Sequence, residues 1–410
     1  AFGLSITFIP AVLVLFNKPS AAHQSKNTAN RLLSRVLAWI GGIVFHHRNL
    51  ILIGFGLLMI GSLIGIPRVE LDSNPLNYYS PESSVRVINT IIDENFGGST
   101  TMSVVIEGDV KSPEVLLQIE KIQEYLKLKE GVGYTLAITD FIKLMHQSMH
   151  GGDPAYYKIP DSRELVSQYL LLYSWESSSG YLDTYVDYDY REAQIVIRLN
   201  TMDVYYMVDL QKELNSFLSE NIHVDNQPKS EGYAVLLGNL MPMLVKGQTR
   251  SLILSVIFAA LVTGLVFRSL SAALVSTMPL AFAIAGVFGL MGYMGIYLNT
   301  ATSMLSSIMI GIGIDYTIHF LFRFRTEIRN GLSDEEAIIR TLSTTGQGIV
   351  INGFSVIMGF AVCMLSTFIP IFFFGWLIAV SISMCLIAAL TLLPVVLVLT
   401  RPKFIFDQKG

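Results

Sequence analysis

One acidic residue, Asp315, interrupts a long apolar segment of the chain. It lies in Gly311-Ile-Gly-Ile-Asp315-Tyr316-Thr-Ile-His319-Phe, inside an apolar run over residues 302–322. At 1.5 Å per residue from Thr302, Asp315 lies about 20 Å into a helix, near the middle of a bilayer core. An unpaired carboxylate there costs about 2.5 to 3.5 kcal/mol, so we expect Asp315 to be protonated or paired. A carboxyl group in this position can take up and release a proton, as proton relays do.

Four polar residues could extend a proton path from Asp315. Tyr316 lies about 100° around the helix and could face a partner acid, although ordinary packing is the alternative. His319 lies one turn below Asp315 on the same face, either as a relay group or as a non-titrating histidine near the headgroups. Asn352 and Ser355, in the following span, could line the same path or hydrogen-bond helices together. For Asp315 itself, the structural alternative is a hydrogen bond between helices.

Two small residues precede the acid on the same helix. Gly311 and Gly313 leave room for a neighbouring helix, whose approach would seal the acid from lipid. We therefore expect both glycines to pack helices at the relay.

Other motifs in the sequence carry weaker signals. His146 and His150, with Asp153 nearby, could bind a metal, but this spacing is more typical of a polar helix end. The run Tyr181–Tyr190 has acidic residues without the glycine and final glutamate of a calcium loop, which favours a solvated strand. The chain has no glycine loop followed by Lys-Ser/Thr that would hold nucleotide phosphates. We therefore expect no metal, no cofactor and no catalytic residue, with a proton gradient as the energy source.

The composition is typical of a membrane protein. Apolar residues make up 52% of the chain and charged residues 15%, whereas soluble proteins have about 25% charged residues. The two cysteines, Cys363 and Cys385, both lie in apolar runs, so the sequence predicts neither a disulfide framework nor a cysteine metal cluster. No feature indicates a nucleic-acid partner.

Apolar runs predict six membrane-spanning helices. They cover residues 50–66, 250–267, 271–292, 302–322, 349–369 and 371–399. Two further segments, 31–45 and 333–345, are amphipathic and are expected to lie along the inner surface. The second begins with Ser333-Asp-Glu-Glu336, a capping box that predicts a helix start.

Charge orients the chain in the membrane. Residues 68–249 contain 14 Lys/Arg and 26 Asp/Glu, a net charge of −12, whereas the remaining residues contain 14 and 6. Basic residues flank the spans on one side, which the positive-inside rule places in the cytoplasm. We therefore expect a multi-pass protein of the cell membrane, with 68–249 outside and the tail 401–410 inside.

The outer segment 68–249 predicts an α+β domain of two β-α-β lobes. The first has strands at 101–107 and 132–138 around a helix over 112–129. The second has strands at 181–188, 192–200 and 231–235 and a helix over 203–219. Between the lobes, residues 149–161 are rich in turn-forming residues and predict an exposed loop or mobile flap.

The first residues repeat the last span. Ser5–Leu15 aligns with Ala389–Leu399 at a constant shift of 384 residues, including a proline in each. This predicts that 1–16 is the end of the last helix of a preceding repeat. Residues 17–49 would then be a cytoplasmic linker, and 250–400 would hold five spans.

The motif around Asp315, followed by Arg323-Phe-Arg-Thr-Glu327, resembles one helix of the resistance-nodulation-division (RND) superfamily, in its MMPL and hopanoid-exporter branch, related to Patched. Asn74–Pro81 and Asp93–Thr100 are similar to the same family. So are Thr344-Thr-Gly346, Asn352-Gly-Phe and Gly359-Phe. The resemblance covers nearly the whole chain.

This resemblance implies twelve spans in two repeats, an RND bundle with ferredoxin-like porter domains, and proton-driven export of a lipid or other amphiphile. In that family an Asp-Tyr pair on this helix faces a matching pair in the other repeat, and Asp315 and Tyr316 occupy those positions. The expected partners are the N-terminal repeat of the same protein, membrane lipids and a lipid-like substrate, with a homo-oligomer as a further option. Two alternatives remain: a SecDF-like accessory motor of protein export, and a sterol- or lipid-sensing receptor without transport.

Overall fold

The computed structural model describes residues 7–8, 10–12, 14–15, 28–70, 74–176, 181–223 and 227–407. Most of the predicted helix end at 1–16 and the linker residues 17–27 lie outside this part, as do the last three residues of the tail. The described residues at 10–12 and 14–15 are helical.

Six helices in the described chain are long and apolar enough to cross a membrane, which confirms the six predicted spans. They are Arg48–Arg68, Lys246–Phe267, Leu270–Met294, Ala301–Arg329, Asp334–Leu365 and Ile369–Thr400. Within a bilayer, only a helix or a closed barrel satisfies every backbone N–H and C=O group internally.

The helices are numbered along the chain. Those before the long membrane segment are α1 (Thr28–His46), α2 (Arg48–Gly65), α3 (Ser84–Asn95), α4 (Pro113–Lys127), α5 (Ile138–Met149), α6 (Arg163–Glu176) and α7 (Val204–Asn221). Those after it are α8 (Tyr233–Phe267), α9 (Leu270–Met294), α10 (Thr300–Ser303), α11 (Leu305–Arg329), α12 (Asp334–Ala361), α13 (Ile369–Leu390), α14 (Leu392–Thr400) and α15 (Lys403–Phe406). Short 3₁₀ helices occur at Ile66–Arg68, Pro75–Tyr78, Pro154–Tyr156, Tyr181–Thr184 and Val362–Leu365.

The predicted surface helix at 333–345 does not end before the next span. It continues without a break into α12, so the separation of 333–345 from the span at 349–369 was wrong. The predicted start is correct, because Ser333 and Glu336 form the capping box. Helix α1, predicted as amphipathic at 31–45, packs along α12, and the Ser34 hydroxyl donates to the Ser343 carbonyl oxygen at 3.3 Å.

The outer segment folds around one four-stranded antiparallel sheet. Its strands are β1 (Thr100–Glu107), β2 (Val132–Leu136), β3 (Glu192–Leu199) and β4 (Lys229–Glu231), in the order β2-β3-β1-β4. This order interleaves the two predicted β-α-β units in a single ferredoxin-like sheet. The prediction of two separate lobes was therefore wrong, although the α+β class is confirmed.

Two predicted strands are absent at their predicted positions in the described chain. Residues 181–184 form a 3₁₀ helix, and only an isolated bridge joins Val186 to Ala193. The buried residues Leu182, Tyr185 and Val186 follow a spacing of three and four, which suits a helical turn better than a strand. The strand predicted at 231–235 ends at Glu231, because Gly232 has φ of +106° and α8 begins at the next residue.

Helix α8 connects the outer domain to the membrane bundle. It runs for 35 residues without a break. At its outer end Ala234 and Leu237 are buried in the core of the outer domain, and at its inner end Phe267 is buried in the core of the bundle. One rigid element therefore joins β4 to the membrane spans.

Candidate functional site

Helix α11 carries Asp315 and follows the short helix α10, which is capped at the outer end of the same span. The Asn299 side chain accepts hydrogen bonds from the backbone N–H groups of Ala301 and Thr302, each at 3.0 Å. The Leu298 N–H also donates to the Glu70 carbonyl oxygen at 2.8 Å, which ties this end to the segment after the first span. The cap satisfies donors that the start of α10 leaves unpaired, so the outer end of this span is held in place.

One face of α11 is open. Gly311, Asp315 and His319, spaced four residues apart, are all exposed. This spacing places them on one stripe of the helix, as predicted for Asp315 and His319. No hydrogen bond or ion pair to the Asp315 carboxylate is made by the residues that the structure describes. The Asp315 carboxylate therefore points away from the bundle, on a side that the described residues do not cover.

Tyr316, in contrast, points into the bundle. It is 1% exposed and belongs to the main hydrophobic core. Its hydroxyl lies against Gly353 of α12, where a Cβ atom would be 3.4 Å away. Within the described chain the hydroxyl has no hydrogen-bond partner. A buried hydroxyl without a partner is costly, so this group is available to a proton donor or acceptor that reaches it.

The two glycines beside the acid have different surroundings. A Cβ atom on Gly313 would lie 2.7 Å from the Cys385 sulfur and 3.1 Å from Leu280, so α13 and α9 approach α11 closely there. A Cβ atom on Gly311 would meet nothing within 4 Å. Among the described residues, only Gly313 makes the close helix contact expected of both.

The predicted residues of the next span lie on exposed positions of α12. Asn352 and Ser355 flank Gly353, the residue that contacts the Tyr316 hydroxyl. The Ser355 hydroxyl donates to the Ile351 carbonyl oxygen at 2.8 Å, a bond within its own helix. Helices α11 and α12 pack together, and Gly353, next to Asn352 in the sequence, is the α12 residue at the Tyr316 hydroxyl.

An apolar groove of about 560 Å³ runs beside the open face. It lies between α8 and α11, and the Ser251 and Ser307 hydroxyl oxygens are 3.0 Å apart near it. Its lining is mostly aliphatic and includes Gly311, the first residue of the exposed stripe. A groove of this size and polarity suits an acyl chain or another apolar group.

Comparison with known families identifies the membrane segment. A profile of the MMPL family matches residues 232–409, which include α8 to α15 and every residue of the predicted relay. The membrane region from α8 onward is therefore similar to the MMPL family. The predicted resemblance to this branch of the RND superfamily is confirmed.

Proteins similar to this chain include transporters and membrane proteins of bacteria and archaea. A membrane protein of Methanocaldococcus jannaschii (MJ1562) is 23% identical over 76% of this chain and 81% of its own length. The membrane protein YdgH of Bacillus subtilis is 32% identical over 38% of this chain and 18% of its own length. The trehalose monomycolate exporter MmpL3 of Mycolicibacterium smegmatis is 27% identical over 42% of this chain and 17% of its own length.

The chain also shares its fold with a solved structure. The hedgehog release protein Disp from the water bear Hypsibius dujardini superimposes with a TM-score of 0.61 at 12% identity. The match covers 97% of this chain and 53% of Disp. The chain therefore spans about half the length of Disp, and the residues aligned with YdgH and MmpL3 cover less than a fifth of those proteins. A multi-pass membrane protein with an RND-type architecture is confirmed.

Sequence reasoning missed a buried ion pair at the inner end of this MMPL region. The Glu327 side chain is 4% exposed, and one of its oxygens lies 2.5 Å from the Arg323 guanidinium and 3.8 Å from that of Arg340. Arg323 and Glu327 both belong to α11, whereas Arg340 belongs to α12. The contact between Glu327 and Arg340 therefore joins α11 to α12 on the inner side of Asp315. The sequence does place one acid, Glu327, among four arginines. Basic residues are common at the inner end of a membrane span, however, so this pattern did not indicate an ion pair.

The two histidines considered as possible metal ligands are adjacent in the outer domain. His146 and His150 have ring centroids 4.6 Å apart. Their surroundings are tyrosines, and no group of three or more possible metal ligands occurs among the described residues. Asp153 caps the 3₁₀ turn at Pro154–Tyr156 by accepting from the Ala155 N–H at 2.9 Å.

Proposed function

We propose that this protein exports a lipid or other amphiphile and is driven by inward proton flow through Asp315. The observation that carries the proposal is the position of this acid: an exposed carboxylate in a membrane helix, with the unpartnered hydroxyl of Tyr316 at the next residue. A charged group in the bilayer core is costly, and intramembrane acids of this kind mark proton pathways.

The open stripe of α11 requires a covering partner. Lipid cannot hydrogen-bond a carboxylate, so a second repeat of the same fold, in this protein or in a second copy, would lie against Asp315. Two further elements support a missing neighbour. Helix α2 has one buried residue, Gly65, among those described, and the amphipathic α3 has none. A 12-residue helix such as α3 is marginal in water unless its apolar face is packed.

Proton binding at Asp315 would change the bundle because it removes a charge from its open face. Helices α11 and α8 are in contact, and α8 continues into the core of the outer domain. At 35 residues α8 is about 50 Å long. A shift of α11 against α8 would therefore be passed to the sheet of the outer domain, which is the coupling that export requires.

The substrate class follows from the groove beside Asp315. Its aliphatic lining and volume of about 560 Å³ favour an apolar chain over a charged solute. The exporter relative MmpL3 is named for a glycolipid cargo, which supports the same class. A lipid-sensing receptor would use the same groove without proton flux.

The test is proton uptake by the full-length assembly in liposomes that contain an internal pH dye. An inward proton gradient is imposed in the presence of total lipid extract, and the wild type is compared with Asp315→Asn. We expect lipid-stimulated uptake in the wild type and none in Asp315→Asn. Thr326→Ala, at an exposed position of the same helix outside the groove, is the matched control and should retain uptake.

Equal uptake in wild type and Asp315→Asn would overturn the role of Asp315. Saturable lipid binding by both proteins, with no flux above that of empty liposomes, would favour the lipid-sensing receptor instead. Retained protein folding is checked by near-ultraviolet circular dichroism of each variant.

A further inference from the structure

The last turn of α5, in the outer domain, carries a cluster of aromatic and imidazole rings. The His146 side chain is buried, and its Nδ1 atom lies 3.0 Å from the Tyr169 hydroxyl of α6. The His150 ring lies one turn further along, with its centroid 4.6 Å from that of His146. Two imidazole rings therefore share one small site.

The segment 151–161, here named the flap, folds back over this cluster. The Tyr156 ring stacks on His150 at 3.9 Å and 8°, and its edge contacts His146 at 5.5 Å. The Tyr157 ring lies 5.3 Å from the ammonium group of Lys143. These contacts hold a segment whose residues 151–158 are exposed, and whose next residue, Ile159, is buried.

The flap begins at a glycine pair suited to a hinge. Gly151 and Gly152 have φ of +72° and +83°, values that other residues rarely adopt, and a Cβ atom on either would meet nothing within 4 Å. The Gly152 N–H donates to the Gln147 carbonyl oxygen at 3.0 Å, and the Tyr157 N–H donates to the Pro154 carbonyl oxygen at 3.1 Å. The Gly152 bond joins the flap to α5 and reports whether the flap is closed, whereas the Tyr157 bond lies within the flap.

Closure of the flap disfavours the charged form of His146. Burial lowers the pKa of His146 below its usual value, the charges of His150 and Lys158 lower it further, and only Asp161 opposes them. The Tyr169 hydroxyl can donate or accept a hydrogen bond, so its bond to His146 is possible whether His146 is neutral or charged. Burial of His146 is therefore what disfavours its charged form. The other charged or titratable groups around the site are Glu120 of α4, Asp140 and Lys143 of α5, Asp153, Tyr156 and Tyr157 of the flap, and Tyr169 of α6.

We propose that His146 and His150 form a pH-sensitive latch, which keeps the flap closed near neutral pH and releases it when the outer solution becomes acidic. Opening exposes the His146 ring to water, where it binds a proton with its ordinary affinity. The open state therefore binds more protons than the closed state, and closure weakens as the pH falls through the ordinary histidine pKa of about 6.5. A gradient that drives protons inward acidifies the side on which the proposed function places the flap.

Hydrogen exchange of the flap amides in the full-length protein tests the latch. Protection of the Gly152 amide, which bonds the flap to α5, is measured at pH 7.5 and 5.5 and corrected for the intrinsic pH dependence of exchange. If closed His146 stays neutral, opening increases by up to ~tenfold at pH 5.5. We expect this fall in protection in the wild type and no change for amides in the middle of α4.

His146→Gln retains a polar group for Tyr169 and cannot titrate, so its flap should be equally protected at both pH values. His150→Phe retains the ring that stacks on Tyr156 and removes the neighbouring charge, so the fall should be smaller than in the wild type. If His146→Gln does not fold, His150→Phe alone decides. An equal fall in wild type and variants, or no fall in the wild type, would overturn the proposal. No proton gradient is applied, so the result is independent of transport through Asp315.

Discussion

The outer domain and the membrane bundle bury their functional residues differently. The outer domain closes a continuous core around one sheet, in which residues such as Val104, Ile122 and Ile195 are fully buried. The membrane bundle also has a core, with Tyr316 and Phe320 at its centre, yet it leaves Asp315 on an exposed stripe. The sheet of the outer domain therefore encloses its own hydrophobic core, whereas in the bundle the stripe of α11 that carries Asp315 is left uncovered by the described residues.

The largest expected effect is a loss of stability in the outer domain that leaves the membrane bundle unchanged. Ile122→Ala removes a fully buried side chain between α4 and the sheet, so we expect the outer domain to lose about 3 kcal/mol of unfolding free energy. Hydrogen exchange should show the loss in β1 and β3 and leave α11 protected. Leu144→Ala, at an exposed position of α5, should change stability by less than about 0.5 kcal/mol. Equal loss of protection in α11 would show that the two cores unfold together.

A smaller effect is expected at the inner end of the bundle. Glu327→Gln removes a buried charge that pairs with Arg323 at 2.5 Å, and we expect a loss of about 2 kcal/mol. Arg340→Gln is the matched change on α12 and should cost less than about 1 kcal/mol, because Arg340 is largely exposed and lies 3.8 Å away. Thermal unfolding in nanodiscs measures both. A greater loss in Arg340→Gln would show that the link to α12 dominates.

The smallest expected effect distinguishes the closed and open sides of α11. Gly313→Ala forces a Cβ atom toward the Cys385 sulfur and should destabilise the bundle by about 1 kcal/mol. Gly311→Ala adds the same atom to open space and should be neutral or slightly stabilising, because alanine favours helix more than glycine does. The same unfolding measurement compares them. A greater loss in Gly311→Ala would indicate that a partner already fills the open face.

Much of the membrane bundle could be predicted from the sequence, because a segment that crosses lipid must satisfy its backbone hydrogen bonds internally and therefore forms an apolar helix. Hydropathy alone located six spans, and one acid in an apolar run identified Asp315. The sheet order could not be predicted, because β1 and β2 both pair with β3, which is distant in sequence. The relation of Tyr316 to Gly353 depends on how two helices pack, which periodicity within one helix does not determine.

Local sequence patterns also gave wrong predictions of secondary structure where packing against neighbouring elements decided the outcome. The capping box at Ser333 correctly predicted a helix start, but the apolar run that defines the next span was placed at 349–369, so 333–345 was predicted as a separate surface helix. The structure joins both segments in the single helix α12, because α1 and α13 pack along this helix and support it. The acidic-aromatic run at 181–190 resembled a strand by composition, although its buried residues have helical spacing.

Direct observation of the Asp315 carboxyl group tests the central claim. Infrared difference spectra of the full assembly in lipid, recorded between neutral and acidic pH with isotope-labelled aspartate, would follow its protonation. We predict a protonated-carboxyl band that appears on acidification in the wild type and is missing in Asp315→Asn, while Asp93→Asn, on the exposed outer segment, retains it. An identical set of carboxyl bands in the wild type and Asp315→Asn would contradict proton binding at this residue.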